Sequence, residues 1–170
     1  RNERPEGERY RHNQRLKVLI IEVRDPQNEP PRMRGDQARP SIVVSRTHPG
    51  LIRRLFEIEV PEIYDGLVEI KSIAREPGAR SKVAVASRES NLDPVGACVG
   101  PKGSRVRMVV EELHNERVDV IQWNDDPAVY VANALSPAKV TRVIADEEKH
   151  FATVIVPDDQ LSLAIGKEGQ

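Results

Sequence analysis

The chain contains an internal repeat with a spacing of 66 residues, and this repeat limits the folds that the sequence can adopt. Gly100 and Gly103 enclose two residues, and Gly166 and Gly169 enclose two residues at the equivalent position of the second copy. The string "PEIY", which begins at Pro61, likewise returns 66 residues later as "PAVY". A fixed period of this kind is typical of a duplicated structural unit. The sequence therefore predicts two copies of one small module.

The order of elements within the first copy follows from its hydrophobic pattern. Between Thr47 and Trp123 the pattern predicts helix, strand, strand, helix, Gly-x-x-Gly turn, helix and strand. We expect Thr47 to cap the first helix and Pro49 to lie in its first turn. Apolar residues at i, i+3, i+4 and i+7 from Val106 predict an amphipathic helix after the turn. The second copy has the same order as far as its own Gly-x-x-Gly.

A different pattern precedes the repeat. Residues 16–23 and 41–45 are rich in branched apolar side chains and predict two strands, joined by the proline-rich segment 24–40. Two strands alone are marginally stable, so we expect them to be the end of a larger β-domain. The predicted fold is α+β, and its expected domains are residues 1–46, 47–124 and 125–170, the last truncated after its turn.

Composition restricts the function classes. Hydrophobic residues make up 38% of the chain and charged residues 31%, which indicates a soluble protein with small cores. No apolar run is long enough to span a bilayer, so we expect no membrane association. The single cysteine, Cys98, excludes an internal disulfide and fits a reducing, cytoplasmic setting. Because the net charge is -1, any nucleic-acid binding must come from local basic groups and backbone donors.

A Gly-x-x-Gly turn between two helices is suited to binding an anion. Glycine lets the backbone approach a ligand closely, and the next helix offers unpaired amides and a partial positive charge. Lys102 adds a charge inside the turn, and Arg105 and Arg107 add charges beside it. This is the binding mode of KH modules, whose loop clamps a nucleic-acid backbone. We expect single-stranded RNA as the ligand, because only unstacked bases enter a narrow groove.

The candidate RNA-binding residues lie in or directly after the two turns. They are Gly100, Pro101, Lys102, Gly103, Ser104, Arg105 and Arg107 in the first copy, and Gly166, Lys167, Glu168 and Gly169 in the second. In the alternative interpretation, the two lysines are ordinary solvated surface residues and the two arginines lie on an exposed helix face. Glu168 opposes an anion in the second turn, so the first turn is the stronger candidate.

The enzyme alternative has little support in the sequence. "GACVGPKGS" resembles a nucleotide-binding P-loop, but that motif requires Gly-Lys-Ser or Gly-Lys-Thr in succession, and Gly103 separates Lys102 from Ser104. We find no nucleophile elbow and no Ser–His–Asp order. The histidines lack the spacing of metal ligands. We therefore expect no catalytic residue, no metal and no cofactor.

The strings "SRTHPGLIRRLFEIEVPEIYDG", "DPVGACVGPKGSRV" and "VPDDQLSLAIGKEGQ" resemble the NusA family of bacterial transcription factors. The resemblance implies the end of an OB-fold, followed by two type II KH modules packed as one rigid unit. It also implies a monomeric, cytoplasmic regulator of pausing, termination and antitermination. The implied partners are nascent single-stranded RNA, RNA polymerase and antitermination factors. An adaptor that docks on RNA polymerase, ribosomal or antitermination factors without touching RNA is the open alternative.

Overall fold

The structure, a computed structural model, describes residues 3–24 and 41–166. Most of the proline-rich segment 24–40, and the candidate residues Lys167, Glu168 and Gly169, lie outside these ranges. The helices and strands, in chain order, are β1 (Leu19–Arg24), β2 (Ser41–Ser45), α1 (Pro49–Glu59), α2 (Pro61–Tyr64), β3 (Val68–Glu76), β4 (Arg80–Ser87), α3 (Pro94–Val99), α4 (Ser104–Glu112), β5 (Arg117–Gln122), α5 (Pro127–Ala134), β6 (Arg142–Asp146), β7 (Phe151–Ile155) and α6 (Leu161–Ile165).

The two predicted N-terminal strands are present and pair with each other. β1 and β2 form an antiparallel two-stranded sheet in which Leu19 is opposite Ser45, with an irregularity between Ile20 and Glu22. β1 begins three residues after the predicted start at Leu16. Within the described ranges this sheet has no further strand, so it is a hairpin rather than a closed barrel.

Elements α1 to β5 form what we call the central unit. Its sheet has the strand order β3-β4-β5, with β3 antiparallel and β5 parallel to β4. The element order α-β-β-α-α-β agrees with the predicted type II KH arrangement, apart from the extra short helix α2. Helices α1, α3 and α4 contribute to one apolar core with the sheet. The buried core side chains include Leu51, Ile52, Leu55, Phe56, Val83, Val85, Cys98, Val109 and Leu113.

The first helix begins one residue later than predicted. His48, not Thr47, is the N-cap, and its Nδ1 accepts a hydrogen bond of 2.9 Å from the amide of Gly50. The Thr47 hydroxyl instead donates to the Glu3 carboxylate at 3.1 Å and lies 3.2 Å from the Ser45 hydroxyl. A short polar side chain caps only if it is free to face the helix, and here Thr47 is used by the preceding segment. Pro49 occupies the first helical turn as predicted.

A buried arginine joins the N-terminal segment to the central unit. The Arg46 side chain is 3% exposed and donates from Nε and Nη2 to the two carboxylate oxygens of Glu8, each at 2.7 Å. It also donates to the carbonyls of Lys17 at 2.7 Å and Glu112 at 2.8 Å. One guanidinium therefore holds three separate parts of the chain together.

A second buried charge pair fixes the β3–β4 hairpin. The Glu116 carboxylate, which is completely buried, accepts from Arg75 Nε and Nη2 at 2.9 Å each. It also accepts from the Gly78 amide at 2.8 Å and the Ser81 hydroxyl at 2.7 Å. Four donors around one carboxylate satisfy its acceptor sites, which is the condition for burying a charge.

The elements α5 to α6 form a C-terminal unit that contacts the central sheet. Lys82 Nζ donates to the Ala134 carbonyl at the end of α5, and Asn133 Nδ2 donates to the Gln122 carbonyl at 3.0 Å. The rings of Trp123 and Tyr130 stack, with their centroids 5.6 Å apart. Trp123 thus packs at the junction, and the two units contact each other directly. In the described ranges, none of the helices is long and apolar enough to cross a membrane.

Candidate nucleic-acid interface

The first Gly-x-x-Gly lies between α3 and α4 and has an unusual backbone. Gly100, Lys102 and Gly103 have φ angles of 73°, 52° and 75°. At Gly100 a Cβ atom would lie 2.7 Å from Arg105 Cγ, so glycine is required there for space as well as for conformation. The left-handed conformation costs about 1 kcal/mol at Lys102, which has a Cβ. The turn therefore holds a lysine where glycine would be less strained.

The turn uses most of its own amides. The Gly100 amide donates to the Gly96 carbonyl at 2.9 Å, and the Gly103 amide donates to the Gly100 carbonyl at 3.0 Å. The Ser104 amide donates to the Pro101 carbonyl, because residues 101–103 close as a short 3-10 turn. The expected set of unpaired amides is therefore smaller than the sequence predicted. Attraction for an anion must depend mainly on the side-chain charges around the turn.

Two of the predicted cations extend into solvent. Lys102 is exposed, and the described residues provide no ion pair for its ammonium group. Arg107 is also exposed, and its side-chain hydrogen bond within the described ranges is a long one, from Nη2 to the Lys102 carbonyl at 3.4 Å. Ser104 is exposed at the start of α4. These three residues can reach a ligand without breaking a strong internal contact.

Arg105 differs from the other two cations. Its Nη1 donates to the Glu62 carboxylate at 2.8 Å and to the Ala97 carbonyl at 2.7 Å. The side chains of Arg105 and Glu62 are each 27% exposed. Of the three predicted cations, Lys102 and Arg107 are therefore available to a ligand, whereas Arg105 is already paired. Glu62 was not among the candidate residues, and the repeat gave no signal for it, because the equivalent residue of the second copy is Ala128.

The helix that leads into the turn packs on a strand with one unpaired edge. Helix α3, which ends at Val99 directly before Gly100, contacts β4 and β5. In the three-stranded sheet β5 pairs only with β4, so within the described ranges its second edge has no strand partner. Val99 is half-buried at this point. An unpaired strand edge offers backbone donors and acceptors, and the neighbouring apolar side chain offers a contact surface for a base.

The second turn has the same geometry where it is described. Helix α6 ends at Ile165, and its C-cap Gly166 has φ of 70° and ψ of -168°, which resemble the values of 73° and 173° at Gly100. The Gly166 amide donates to the Ser162 carbonyl at 3.1 Å, as the Gly100 amide does to Gly96. Ile165, which precedes Gly166, is exposed. The two halves of the repeat thus begin their turns in the same way.

The thiol behind the first turn is buried. Burial, with a smaller contribution from the Glu62 carboxylate, raises the pKa of Cys98 to about 12. Because the thiolate is the reactive form, Cys98 is chemically inert at neutral pH and packs as a small apolar residue. Among the described residues no group of three His, Cys, Asp or Glu side chains could hold a metal ion.

The element order and the glycine turns together define a pair of KH modules, a class of RNA-binding domain. A model of the NusA-like first KH domain matches residues 46–123, and a model of the NusA-like second KH domain matches residues 127–170. The chain belongs to the NusA family.

Curated relatives agree with this assignment. The transcription termination/antitermination protein NusA of Halalkalibacterium halodurans is 55% identical over 99% of this chain, and that of Bacillus subtilis is also 55% identical over 99%. The NusA of Thermus thermophilus is 48% identical over the whole chain. The chain covers only 42%, 43% and 41% of these relatives, so it spans less than half of their length. The crystal structure of APE1850 is 20% identical, with a TM-score of 0.49 over 69% of this chain and 79% of that chain.

Proposed function

We propose that this chain is the RNA-binding part of a transcription elongation factor that regulates pausing, termination and antitermination. Its ligand is the single-stranded nascent transcript, and RNA polymerase and antitermination factors are its protein partners. It acts as a cytoplasmic monomer without catalysis, and its domains are residues 1–46, 47–124 and 125–170. The names of the curated relatives, which are transcription factors rather than enzymes, support this proposal.

One observation carries the RNA-binding part of the proposal. An exposed lysine, Lys102, lies in a left-handed turn between two helices, and α3, which leads into this turn, contacts β5, whose second edge has no strand partner in the described ranges. A phosphate that contacts Lys102 and Arg107 would place the following bases toward Val99 and this edge. Because only a few phosphates meet the turn, we expect a shallow salt dependence, with a logarithmic slope of about 2–4.

Charge reversal of Lys102 tests the site. We expect Lys102→Asp to weaken binding of a fluorescein-labelled single-stranded oligoribonucleotide by about tenfold or more, and to reduce the salt slope by about 1. The thermal midpoint should stay near that of the wild type, because aspartate tolerates the left-handed conformation better than most residues. The measurement is fluorescence anisotropy at several salt concentrations, beside a thermal melt.

Lys139→Asp is the matched control, because it makes the same charge change at an exposed residue of the C-terminal unit whose ammonium group, like that of Lys102, has no ion pair within the described ranges. Equal losses for both variants would mean that net charge, not the turn, governs binding. Wild-type affinity in Lys102→Asp would refute the site. A wild-type chain that binds no RNA, but is retained on immobilised RNA polymerase, would support the adaptor alternative.

A further inference from the structure

Arg105 replaces a hydrogen-bond donor that the sequence removes from α3. In a helix the carbonyl of residue 97 would accept from the amide of residue 101, but Pro101 has no amide hydrogen. Arg105 Nη1 donates to this Ala97 carbonyl at 2.7 Å. The guanidinium therefore completes the last turn of the helix that leads into the glycine loop.

The stem of Arg105 also packs against the turn. The Cβ, Cγ and Cδ atoms of Arg105 lie 3.0, 2.7 and 3.0 Å from the position that a Cβ on Gly100 would occupy. The backbone of Gly100 is thus covered by the aliphatic part of a side chain whose charged end is fixed elsewhere. The stem of Arg105 and its fixed guanidinium therefore both restrict the loop 100–103.

The fixed end is held by an acid from another helix. Glu62 in α2 accepts from Arg105 Nη1 at 2.8 Å, in a site where both side chains are only partly exposed. A carboxylate at this distance offsets the charge that a phosphate would need from Arg105. We propose that Arg105 is not an RNA contact but a positioning residue, and that the Glu62–Arg105 pair holds the first loop in shape so that Lys102 and Arg107 face the RNA backbone.

The repeat shows that this pair belongs to the first copy. The residue 66 positions after Glu62 is Ala128, which has no carboxylate. An equivalent ion pair cannot form at the second loop, whatever residue follows it. The two modules therefore differ in how firmly their loops are set before RNA arrives, and preorganised loops lose less conformational freedom on binding.

The direction in which RNA affinity changes when Glu62 is removed separates a positioning role of Arg105 from direct contact with RNA. This test rests on the proposed function. Removal of a negative charge near an RNA site raises affinity if Arg105 is thereby released to bind phosphate. We expect the opposite: Glu62→Ala weakens binding of the same labelled single-stranded oligoribonucleotide by about tenfold, as loss of one hydrogen bond to a charged group does. Glu59→Ala removes an equal charge three residues away without touching Arg105, and should bind at least as tightly as the wild type.

The RNA affinity of a double variant separates loss of the Glu62–Arg105 pair from general destabilisation of the protein. If the pair acts as one unit, Glu62→Ala combined with Arg105→Met binds RNA no worse than Arg105→Met alone. Independent losses that multiply would contradict the proposal, and so would Glu62→Ala binding as tightly as Glu59→Ala.

The single thiol gives a test that needs no RNA. Cys98 is buried in α3, directly before the loop, so its alkylation by a maleimide reports opening of this region. We expect Arg105→Met, which breaks the same pair and removes a charge that lowers the pKa of Cys98, to raise the native alkylation rate about tenfold. The increase should depend little on urea at low concentration, which is the signature of local rather than global opening. If the wild type fails to bind RNA, the proposed function is wrong and this rate alone decides the inference. An unchanged rate would overturn it.

Discussion

Replacing Glu116 by glutamine tests how much of the stability of the central unit depends on one buried carboxylate. The substitution keeps the size of the side chain, so no cavity forms. Each carboxylate oxygen of Glu116 accepts two hydrogen bonds, Oε1 from Arg75 and Ser81 and Oε2 from Arg75 and Gly78. A glutamine NH2 group at the Oε2 position would face two donors, Arg75 Nη2 and the Gly78 amide; at the Oε1 position it would face one, Arg75 Nε, because the Ser81 hydroxyl can turn to accept.

The expected loss follows from this geometry. At least one hydrogen bond is replaced by a donor–donor contact, and the guanidinium of Arg75, whose side chain is 1% exposed, loses the carboxylate that neutralises it. Removing one member of a buried ion pair costs about 3–5 kcal/mol. For a unit of this size that loss lowers the thermal midpoint by about 12 °C or more.

Urea and thermal unfolding, followed by circular dichroism and by Trp123 fluorescence, measure this loss. Arg80→Ala is the control, because the Arg80–Asp119 ion pair joins neighbouring strands of the same sheet but is 45% and 35% exposed. We expect the control to lose less than about 1 kcal/mol. If Glu116→Gln also loses less than about 1 kcal/mol, with an unchanged dependence on urea, then water reaches the pair and our account of it is wrong.

Two further predictions concern titration and reactivity. Burial tends to raise the pKa of Glu8, but hydrogen bonds from Arg46 and Tyr10 outweigh it and hold the pKa below the ordinary value of 4.5. The contact between Glu8 and Arg46 should therefore be complete above pH 4.5 and weaken as the pH falls through the lower pKa that Glu8 has in the folded protein. Protection of the N-terminal amides against hydrogen exchange should stay constant from pH 7 to 5 and decrease below that range. A loss of protection already at pH 6 would contradict this expectation. Because the pKa of Cys98 is about 12, its thiol should react with a disulfide reagent at pH 8 only when the protein opens, and stoichiometric reaction within seconds in native buffer would contradict its burial.

Local patterns in the sequence were enough to predict much of the fold. The spacing of Val106, Val109 and Leu113 predicted the α4 face that packs into the core, and this prediction is confirmed, since Val109 and Leu113 are each 1% exposed. The strand at residues 41–45 and the two successive strands of the first copy are also confirmed, and these two pair as the β3–β4 hairpin. Each of these features depends on neighbours within a few residues, where periodicity is informative.

Contacts between distant residues were not accessible in the same way. Arg46 and Glu8 are 38 positions apart, and Arg75 and Glu116 are 41 apart, so no local spacing indicates either pair. At the candidate site, sequence reasoning identified the turn but treated Arg105 and Arg107 alike. The contacts of Arg105 with the Glu62 carboxylate and the Ala97 carbonyl distinguish the two arginines.

The contacts between the central and C-terminal units have a consequence for sequence change. Lys82 and Asn133 each donate to a main-chain carbonyl, at positions 134 and 122, rather than to a side chain. Every amino acid carries a main-chain carbonyl, so substitutions at positions 134 and 122 need no compensating change at Lys82 or Asn133. Relatives can therefore diverge at the accepting positions while the relative placement of the two units stays the same.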